Sequence, residues 1–270
     1  MEKAVILARG LGKRMRQSRG SQGDLSGAQS AVADTGTKAM IPIDRPFLDY
    51  VLHNLAEAGY RRICLVIGPE HDALRTYYTQ TVQPKRISID FAIQQNPLGT
   101  ADAVLAAASF AADDHFLVIN SDNYYPLDAL KKLHLLNTPG LAAFDREGMI
   151  ADSNISADKL IQFAVVQTDA GDNLIGVIEK PDEQTLQTLP APICLSMNCW
   201  RFGPAIFEGC REINPSPRGE LELPDAVRYT IDVLGQQYKA VTIKAPVLDL
   251  SRREDIAAVA EKLKGSHVDL

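Results

Sequence analysis

Near its amino end the chain reads Val5-Ile6-Leu7-Ala8-Arg9-Gly10-Leu11-Gly12-Lys13-Arg14-Met15, an apolar run followed by a Gly-x-Gly turn and basic side chains. A short apolar run next to a turn signal is typical of a buried strand. Glycine has no Cβ, so a turn that contains it lets backbone N–H groups approach an anion closely. Arginines beyond the turn add forked donors for phosphate oxygens. The stretch therefore predicts a strand that ends in a polyphosphate-binding turn.

Composition limits the class of ligand. The 270 residues have a net charge of −6, with 46% hydrophobic and 23% charged residues, which is ordinary for a globular protein. A general nucleic-acid binder would have a broad basic surface, so the cluster between Arg9 and Arg19 suits one small anion, and we expect no nucleic-acid partner.

No segment has the pattern of a signal peptide or the roughly 18 apolar residues of a membrane span. The four cysteines have no disulfide or metal-binding pattern. We expect no membrane partner and a cytoplasmic location.

Strand-like and helical segments alternate in the first half of the chain. The predicted strands are Ala4–Ala8, Ile63–Ile67, Ile87–Ile93 and Phe116–Ile119, and the predicted helices are Pro46–Ala58, Thr100–Phe110 and Leu127–Leu136. This alternation is typical of a parallel sheet covered by helices on both faces. Such sheets bind ligands outside the carboxyl ends of their strands, where the Gly-x-Gly turn and Asp122 both lie.

The second half reads as further strands of the same sheet. They are Ile161–Gln167, Leu174–Glu179 and Ile193–Phe202, and we expect them to build a smaller lobe over the rim of the sheet. We expect a single domain over residues 1–265, with this lobe at about 145–225. Ser251 and Glu254 have the spacing of a capping box for a last helix that ends at Leu263.

The segment 16–37 is rich in Gly, Ser, Gln and Ala and has almost no large apolar side chains. It is predicted to form no core element and to be a mobile loop. Its position between the glycine turn and Lys38 leaves two interpretations, a cover over the site or a passive insertion.

Three polar residues beyond the first turn are candidates for phosphate chemistry. Lys38 follows the predicted loop and is either a phosphate clamp or a surface lysine. Asp122 ends the strand Phe116–Ile119, where a carboxylate can hold Mg²⁺ together with substrate phosphates, or can form a turn. Asp249 precedes the last helix and either completes the metal site or has a structural role.

Two further motifs are candidates for binding the organic parts of a ligand. Gln94 ends a strand and precedes the turn at Gly99 and Thr100, where amides can read the edge of a nucleobase and the helix start offers donors to an anion. Alternatively, the segment from Gln94 to Thr100 is an ordinary strand–turn–helix connection. The pair Glu179-Lys180 ends a later strand, where it can accept from sugar hydroxyls and neutralise a phosphate, or form a solvated turn.

In this order the motifs resemble those of the sugar-1-phosphate nucleotidylyltransferases, which include glucose-1-phosphate thymidylyl- and uridylyltransferases. The resemblance runs from Glu2 to about Leu263. The motifs that carry it are Leu7–Met15, Lys38, Pro97-Leu98-Gly99-Thr100-Ala101-Asp102-Ala103, Ser121-Asp122-Asn123, Glu179-Lys180-Pro181, Arg218-Gly219-Glu220-Leu221-Glu222 and Leu248-Asp249.

The resemblance implies a Rossmann-like, mixed, mostly parallel α/β fold and a transfer of a nucleotidyl group from a nucleoside triphosphate to a sugar 1-phosphate, with release of pyrophosphate. Its catalytic residues would be Arg14, Lys38, Asp122 and Asp249, and the two aspartates would bind Mg²⁺. Its nucleotide-binding residues would be Leu7, Ala8, Arg9, Gly10, Gly12, Gln94, Gly99 and Thr100. Its sugar-phosphate-binding residues would be Asn123, Glu179, Lys180 and Asn198.

Several positions depart from the family pattern. Arg9 stands where the family usually has glycine or alanine, and it either adds a phosphate contact or narrows the base pocket. Ser121, Asn198 and the pair Leu250-Ser251 also differ from the usual residues.

We expect UTP or dTTP as the nucleotide. The identity of the sugar stays open, and so does the oligomeric state, for which a homo-oligomer is possible. The alternatives are a non-catalytic sensor of a nucleotide or an NDP-sugar, and transfer to an alcohol phosphate that is not a sugar.

Overall fold

The structure is a computed structural model, and it describes residues 2–17, 25–161, 163–179 and 181–270. Its strands are β1 (Lys3–Leu7), β2 (Arg62–Ile67), β3 (Ser88–Ile93), β4 (Phe116–Asn120), β5 (Asn123–Tyr124), β6 (Gly140–Asp145), β7 (Ala164–Thr168), β8 (Leu174–Ile178), β9 (Cys194–Phe202), β10 (Lys239–Ile243) and β11 (Leu248–Asp249). Its α-helices are α1 (Lys13–Gln17), α2 (Gly27–Thr35), α3 (Phe47–Glu57), α4 (Asp72–Thr76), α5 (Thr100–Ala106), α6 (Ala108–Ala111), α7 (Leu127–Leu135), α8 (Arg146–Asp152), α9 (Ala157–Leu160), α10 (Glu183–Thr188), α11 (Ile206–Glu212), α12 (Leu223–Asp232) and α13 (Arg253–Leu263).

The apolar run at Val5 is an inner strand of a nine-stranded sheet. The strand order is β10-β6-β9-β4-β1-β2-β3, and β7 joins through β9 and carries β8 on its other edge. β8 and β9 run opposite to the other strands of this sheet. β5 and β11 form a separate antiparallel pair. The carboxyl ends of β1, β2, β3 and β4 therefore share one edge.

Helices cover both faces of the sheet because the strands are apolar on both sides. In β1, Ala4 and Ile6 belong to one core and Val5 to the other, as the alternation of a strand requires. One core takes side chains from α3, α7 and α13, namely Leu52, Leu130 and Ile256. The other takes them from α5, α11 and α12, namely Val104, Phe207 and Val227. The predicted α/β fold is confirmed, with a mixed, mostly parallel sheet covered on two faces.

The predicted lobe at 145–225 shares its core with the main sheet. β9 lies within this range and pairs with both β4 and β6 near the middle of the sheet. The strand predicted from Ile161 starts at Ala164. The helix predicted over Thr100–Phe110 is broken at Ala107, whose N–H bonds to the carbonyl of Val104 and so leaves the regular ladder.

The prediction that segment 16–37 forms no core element is wrong for α2. Ser26 and Gln29 cap this helix reciprocally, because Ser26 Oγ accepts from the N–H of Gln29 at 3.2 Å and Gln29 Oε1 accepts from the N–H of Ser26 at 3.0 Å. Ala33 is fully buried. A small side chain was enough to pack the helix against the core, although the segment has few large apolar residues.

Arg253 ties α2 to the helices at both ends of the chain. Its Nε donates to the carbonyl of Met15 at 3.0 Å and its Nη1 to Ser30 Oγ at 3.3 Å, while Nη2 forms an ion pair with Asp34. The guanidinium is buried and thus fixes α1, α2 and α13 relative to one another. The rest of the predicted loop, Ser18–Asp24, lies outside the described residues.

The last helix, α13, begins at Arg253, whereas the sequence predicts Ser251 as its N-cap. Asp255 Oδ2 accepts from the backbone N–H groups of Ser251 and Arg252, at 3.0 and 2.7 Å. The carboxylate thus reaches back to the helix start, and Ser251 and Glu254 do not form the predicted box. No helix in the described ranges is both long enough and apolar enough to cross a bilayer.

The Gly-x-Gly turn packs against the end of α2. Gly12 has φ +57°, and a Cβ there would collide with the backbone of Gly36, which itself ends α2 at φ +78°. Gly10 has open space around the position of a Cβ. Only the second glycine of the turn is therefore required by the fold.

We predict that Gly12→Ala lowers the free energy of unfolding by about 2 kcal/mol or more, because the new methyl group meets a backbone and the φ angle is strained. Gly10→Ala is the matched control and should change that free energy by less than about 0.5 kcal/mol. Urea denaturation followed by circular dichroism measures both values. Equal stability of the two variants would contradict this account of the turn.

Candidate active site

A cavity of about 530 Å³ opens at the carboxyl edge formed by β1, β3 and β4. Eleven of the predicted site residues line it, namely Leu7, Ala8, Arg9, Gly10, Gly12, Arg14, Lys38, Gln94, Gly99, Thr100 and Asp122. Residues that the sequence analysis did not assign also line it, among them Thr37, Asn120, Glu220 and Ser251. A second cavity, of about 280 Å³ next to β7 and β10, contains none of the predicted residues.

Lys38 and Asp122 form an ion pair at the floor of this cavity. Lys38 Nζ lies 2.8 Å from Asp122 Oδ2, and the two side chains are 17% and 24% exposed. Burial alone would lower the pKa of Lys38, but the charge and hydrogen bond of Asp122, together with the charge of Asp249, raise it above its ordinary value. The lysine is therefore a permanent cation between two carboxylates.

Asp249 reaches Asp122 from the opposite side of the site. The short pairing of β11 with β5 sets Asp249 opposite Asn123, and the N–H of Leu250 donates to the carbonyl of Asp122 at 2.8 Å. Burial, followed by the charge of Asp122, raises the pKa of Asp249 to about 6. The structure thus brings together two carboxylates that are 127 positions apart in the sequence, from 122 to 249.

Two asparagines hold Asp249 in place. Asn123 is buried and donates from Nδ2 to Asp249 Oδ1 at 3.0 Å. Asn154 donates to the carbonyl of Asp249 at 2.7 Å and accepts from its N–H at 2.8 Å. Asn123 was predicted to bind the sugar phosphate; it does not line the cavity, and its role in sugar binding stays a prediction. Asn154 has no signal in the sequence, because no local pattern marks a partner 95 residues away.

The loop Leu7–Met15 lines the cavity with residues 7–14, among them Arg14. The N–H of Ala8 donates to the carbonyl of Val66 at 2.8 Å, which keeps this residue in the sheet at the carboxyl end of β1. Arg14 lies in α1 close enough to Lys38 for its charge to oppose the protonation of that lysine. Arg14 and Lys38 therefore supply positive charge to the same end of the cavity.

The turn after β3 forms the other end of the cavity. Gln94 is buried, and its Nε2 donates to the carbonyl of Gly99 at 3.0 Å and to Asp102 Oδ2 at 2.7 Å. Gly99 has φ +127°, and a Cβ there would collide with the backbone of Leu221. Glycine is thus required at this position by contact with the protein itself. Thr100 Oγ1 accepts from the N–H of Leu223 at 2.9 Å, so the turn is joined to the start of α12.

Of the remaining predicted sugar-phosphate residues, Glu179 and Asn198 do not line the cavity. Glu179 is exposed after β8, and its charge adds to that of Glu222 in raising the pKa of Arg218. Asn198 has a left-handed φ of 54° within β9, and its carbonyl lies 3.4 Å from the hydroxyl of Tyr125. Lys180 lies outside the described residues. Roles in sugar binding stay predictions for all three.

The chain belongs to the nucleotidyl transferase family, whose sequence pattern it matches over residues 3–264. It is 28% identical to the low-salt glycan biosynthesis nucleotidyltransferase Agl11 of Haloferax volcanii, over 85% of this chain and 57% of that protein. It is 25% identical to the UTP–glucose-1-phosphate uridylyltransferase AglF of the same organism, over 97% of this chain and 96% of that protein. The bifunctional protein GlmU of Methanococcus vannielii is 27% identical over 85% of this chain. The chain spans about half the length of the first relatives, 57% of Agl11 and 47% of GlmU.

Solved structures share the fold. A UDP-glucose pyrophosphorylase crystallised with UDP-glucose superposes with a TM-score of 0.74 at 18% identity, over 99% of this chain and 100% of that chain. The UTP-bound UGPase from Acinetobacter baumannii also has a TM-score of 0.74, at 19% identity, over 99% of this chain and 95% of that chain.

We predict that Lys38→Met lowers the free energy of unfolding at pH 8 by about 1–3 kcal/mol, because it removes the cation that pairs with Asp122 and offsets the charge of Asp249. The raised pKa of Asp249 means that its ionisation disfavours the folded state as pH rises towards about 6. Without Lys38 that ionisation becomes more costly still. The loss should therefore be smaller at pH 5 than at pH 8.

Lys132→Met is the matched control, because it breaks an exposed ion pair with Asp128 on α7. Its cost should stay below about 0.5 kcal/mol at either pH. Adding Asp122→Asn to Lys38→Met should restore part of the lost stability. Urea denaturation of the four proteins at both pH values provides the measurement, and a Lys38→Met cost that is unchanged from pH 5 to pH 8 would refute the electrostatic account.

Proposed function

We propose that this chain is an Mg²⁺-dependent nucleotidyltransferase that joins a nucleoside triphosphate, UTP or dTTP, to a sugar 1-phosphate and releases pyrophosphate. One observation carries the proposal: Arg14 and Lys38 share a cavity with Asp122, and Asp249 stands beside Asp122 at one end of it. A protein that only bound a nucleotide would not need this concentration of opposite charges. The names of the relatives AglF and Agl11 agree with the proposal.

The reaction needs no nucleophile from the protein. A phosphate oxygen of the sugar 1-phosphate attacks the α-phosphorus of the triphosphate, a new P–O bond forms, and the bond to the departing pyrophosphate breaks. Catalysis then consists of alignment and charge neutralisation. We assign the triphosphate and the leaving pyrophosphate to Arg14 and Lys38, whose positive charges lie at the same end of the cavity. The backbone at Gly10 is open to the ligand on the other side.

The residues at this end of the cavity fit Mg²⁺. Asp122 and Asp249 offer carboxylate oxygens, the type of ligand that Mg²⁺ uses together with substrate phosphates. Their mutual repulsion contributes to the pKa of about 6 at Asp249, and a divalent cation would relieve it. Among the described residues no group of three or more His, Cys, Asp or Glu side chains could hold a metal ion, so the remaining ligands would be phosphate oxygens and water. When bound, Mg²⁺ would neutralise charge on the reacting phosphates.

We further propose that residues 1–265 act as one nucleotidyltransferase unit in which the lobe at about 145–225 contacts the sugar. Glu220 supports this assignment, because it belongs to this lobe and lines the cavity. Arg218 of the same lobe pairs with Glu222, and the charges of Glu220 and Glu179 also raise its pKa. A cytoplasmic location is also a proposal. It rests on the four cysteines, all of which are free and buried, as is usual in a reducing compartment.

We predict that Asp122→Asn lowers the rate of pyrophosphate release by about 100-fold or more, because a group that neutralises transition-state charge is lost. A screen of UTP, dTTP, CTP, ATP and GTP against several sugar 1-phosphates, with Mg²⁺ or with EDTA, first identifies the substrate pair. Asp128→Asn on the surface of α7 is the control and should leave the rate unchanged. Full activity of Asp122→Asn, or activity that survives EDTA, would refute the proposed metal site.

We predict that Arg14→Ala raises the KM for the triphosphate by about tenfold or more and leaves the KM for the sugar 1-phosphate within a factor of about two, because the lost charge faces the triphosphate. Steady-state kinetics with each substrate varied in turn separate the two values. Equal effects on both substrates would contradict this assignment.

The same screen distinguishes the alternatives. A chain that binds a nucleotide by calorimetry but releases no pyrophosphate with any acceptor is a sensor and not a transferase. Turnover with an alcohol phosphate but with no sugar 1-phosphate would place the activity in another acceptor class.

A further inference from the structure

The pairing of β9 has a gap between two of its neighbours. Along one edge of β9, β4 pairs with residues 200–202 and β7 pairs with residues 194–196. Residues 197–199 lie between these two partners, and Asn198 has a left-handed φ of 54° there. On the other edge the pairing with β6 also shifts its register at this point. The backbone carbonyls in the gap therefore need a partner from outside the neighbouring strands.

The hydroxyl of Tyr125 reaches into this gap. Tyr125 is 1% exposed, and its hydroxyl donates to the carbonyl of Met197 at 2.6 Å. The carbonyl of Asn198 and Oδ1 of Asn123 each lie 3.4 Å from the same hydroxyl, and the backbone N–H of Asn120 donates to it at 3.4 Å. A hydroxyl has one proton, so the short bond to Met197 is the one that it makes as a donor. The end of β4, the start of β5 and the gap in β9 thus meet at one buried oxygen.

Tyr125 also ties β5 to the rest of the protein. β5 and β11 pair with each other outside the nine-stranded sheet, so their position depends on the contacts of the residues around them. Tyr125 directly follows β5, and its carbonyl accepts from Nδ2 of the buried Asn54 in α3 at 3.0 Å. Tyr125 is therefore held at both ends, by β9 through its hydroxyl and by α3 through its carbonyl. The strand pair carries Asp249 opposite Asn123, and Asp122 immediately precedes it.

We propose that Tyr125 is a positioning residue for the two carboxylates of the site. Its hydroxyl holds β5 against β9, and β5 in turn places Asn123, whose Nδ2 donates to Asp249 Oδ1 at 3.0 Å. Removing the hydroxyl takes away the short bond to Met197 and with it the link of β5 to β9. Partners behind the ligands of a metal tune its affinity, because they fix where the ligand oxygens point. The inference rests on the proposed function only in taking Asp122 and Asp249 as the residues that would hold Mg²⁺.

The test is the Kd for Mn²⁺ alone, measured by electron paramagnetic resonance, because Mn²⁺ takes the same oxygen ligands as Mg²⁺. Asp122→Asn identifies the part of the signal that belongs to the site, since binding elsewhere survives that change. Asn123→Ala removes a group in direct contact with a carboxylate and should raise the Kd by about tenfold or more. Tyr125→Phe acts one step further away and should raise it by about threefold to tenfold.

Tyr60→Phe is the matched control. Tyr60 is also a fully buried tyrosine, and its hydroxyl donates to the carbonyl of Leu130 at 3.3 Å, outside the walls of the cavity. This variant also loses one buried hydroxyl and should leave the Kd for Mn²⁺ unchanged. Thermal unfolding checks that each variant is folded at the temperature of the titration. Asn54→Ala releases the other end of Tyr125 and provides a second test, with an expected rise in the Kd of about twofold or more.

A double-variant cycle distinguishes positioning through Asn123 from a general loss of packing. Groups in one network have non-additive effects, so Tyr125→Phe combined with Asn123→Ala should have a Kd close to that of Asn123→Ala alone. Tyr60→Phe combined with Asn123→Ala should instead give the product of the two single effects. Steady-state kinetics should show a lower kcat for Tyr125→Phe, with the KM for the triphosphate within a factor of about two, because the triphosphate contacts at Arg14 and Lys38 stay in place.

An unchanged Kd in Tyr125→Phe would overturn the inference, as would a double variant whose loss equals the product of the two single losses. An equal rise of the Kd in Tyr60→Phe, or Mn²⁺ binding that is the same in Asp122→Asn as in the unsubstituted chain, would also overturn it. A non-additive cycle in a chain that never releases pyrophosphate would retain this inference and refute the transferase. Mg²⁺-dependent turnover with an additive cycle would do the reverse.

Discussion

The ion pair between Lys38 and Asp122 is the interaction on which the rest of the site depends. It lies between the end of β4 and the segment that follows α2, and it compensates a second carboxylate, Asp249, which arrives from the far end of the chain. Without a cation there, the antiparallel contact of β5 with β11 would force two carboxylates together. Lys38 and the proposed Mg²⁺ would therefore neutralise the same negative charge, that of Asp122 and Asp249.

Close backbone contacts hold the loops of the site. Gly12 packs on Gly36, and Gly99 packs on Leu221, with no room for a Cβ in either case. Glycine in a phosphate-binding turn is commonly explained by approach to the ligand. In this chain the explanation differs, since Gly12 joins the turn to α2 and Gly99 joins the turn after β3 to the segment before α12. Gly10 alone of these three has open space and faces the cavity.

The sequence was sufficient for β1, β2 and β4, because each contains a continuous apolar run of four or five residues, the length of a buried strand, next to a turn signal. It failed at α2, where the polar composition concealed the capping pair Ser26 and Gln29 and one buried alanine. The sequence also did not predict the residues that hold the side chains of the site in place. Asn154 holds Asp249 across 95 residues of sequence, and Asp102 fixes Gln94 across a turn that has no charge signal. Such partners are determined by tertiary pairing, which periodicity and motif spacing do not encode.

The charges along the carboxyl edge are ordered. Arg9 forms an ion pair with Glu70, which follows β2, and Lys38 forms one with Asp122, which follows β4. Because β2 and β4 pair with opposite edges of β1, the two cations lie on opposite sides of that strand. A chain with a net charge of −6 thus concentrates positive charge at two separate points of one cavity. A single phosphate would occupy only one of them. The proposed ligand, a nucleoside triphosphate, is long enough to reach both points, and this separation is the physical reason to propose a nucleotide site and not a simple anion site.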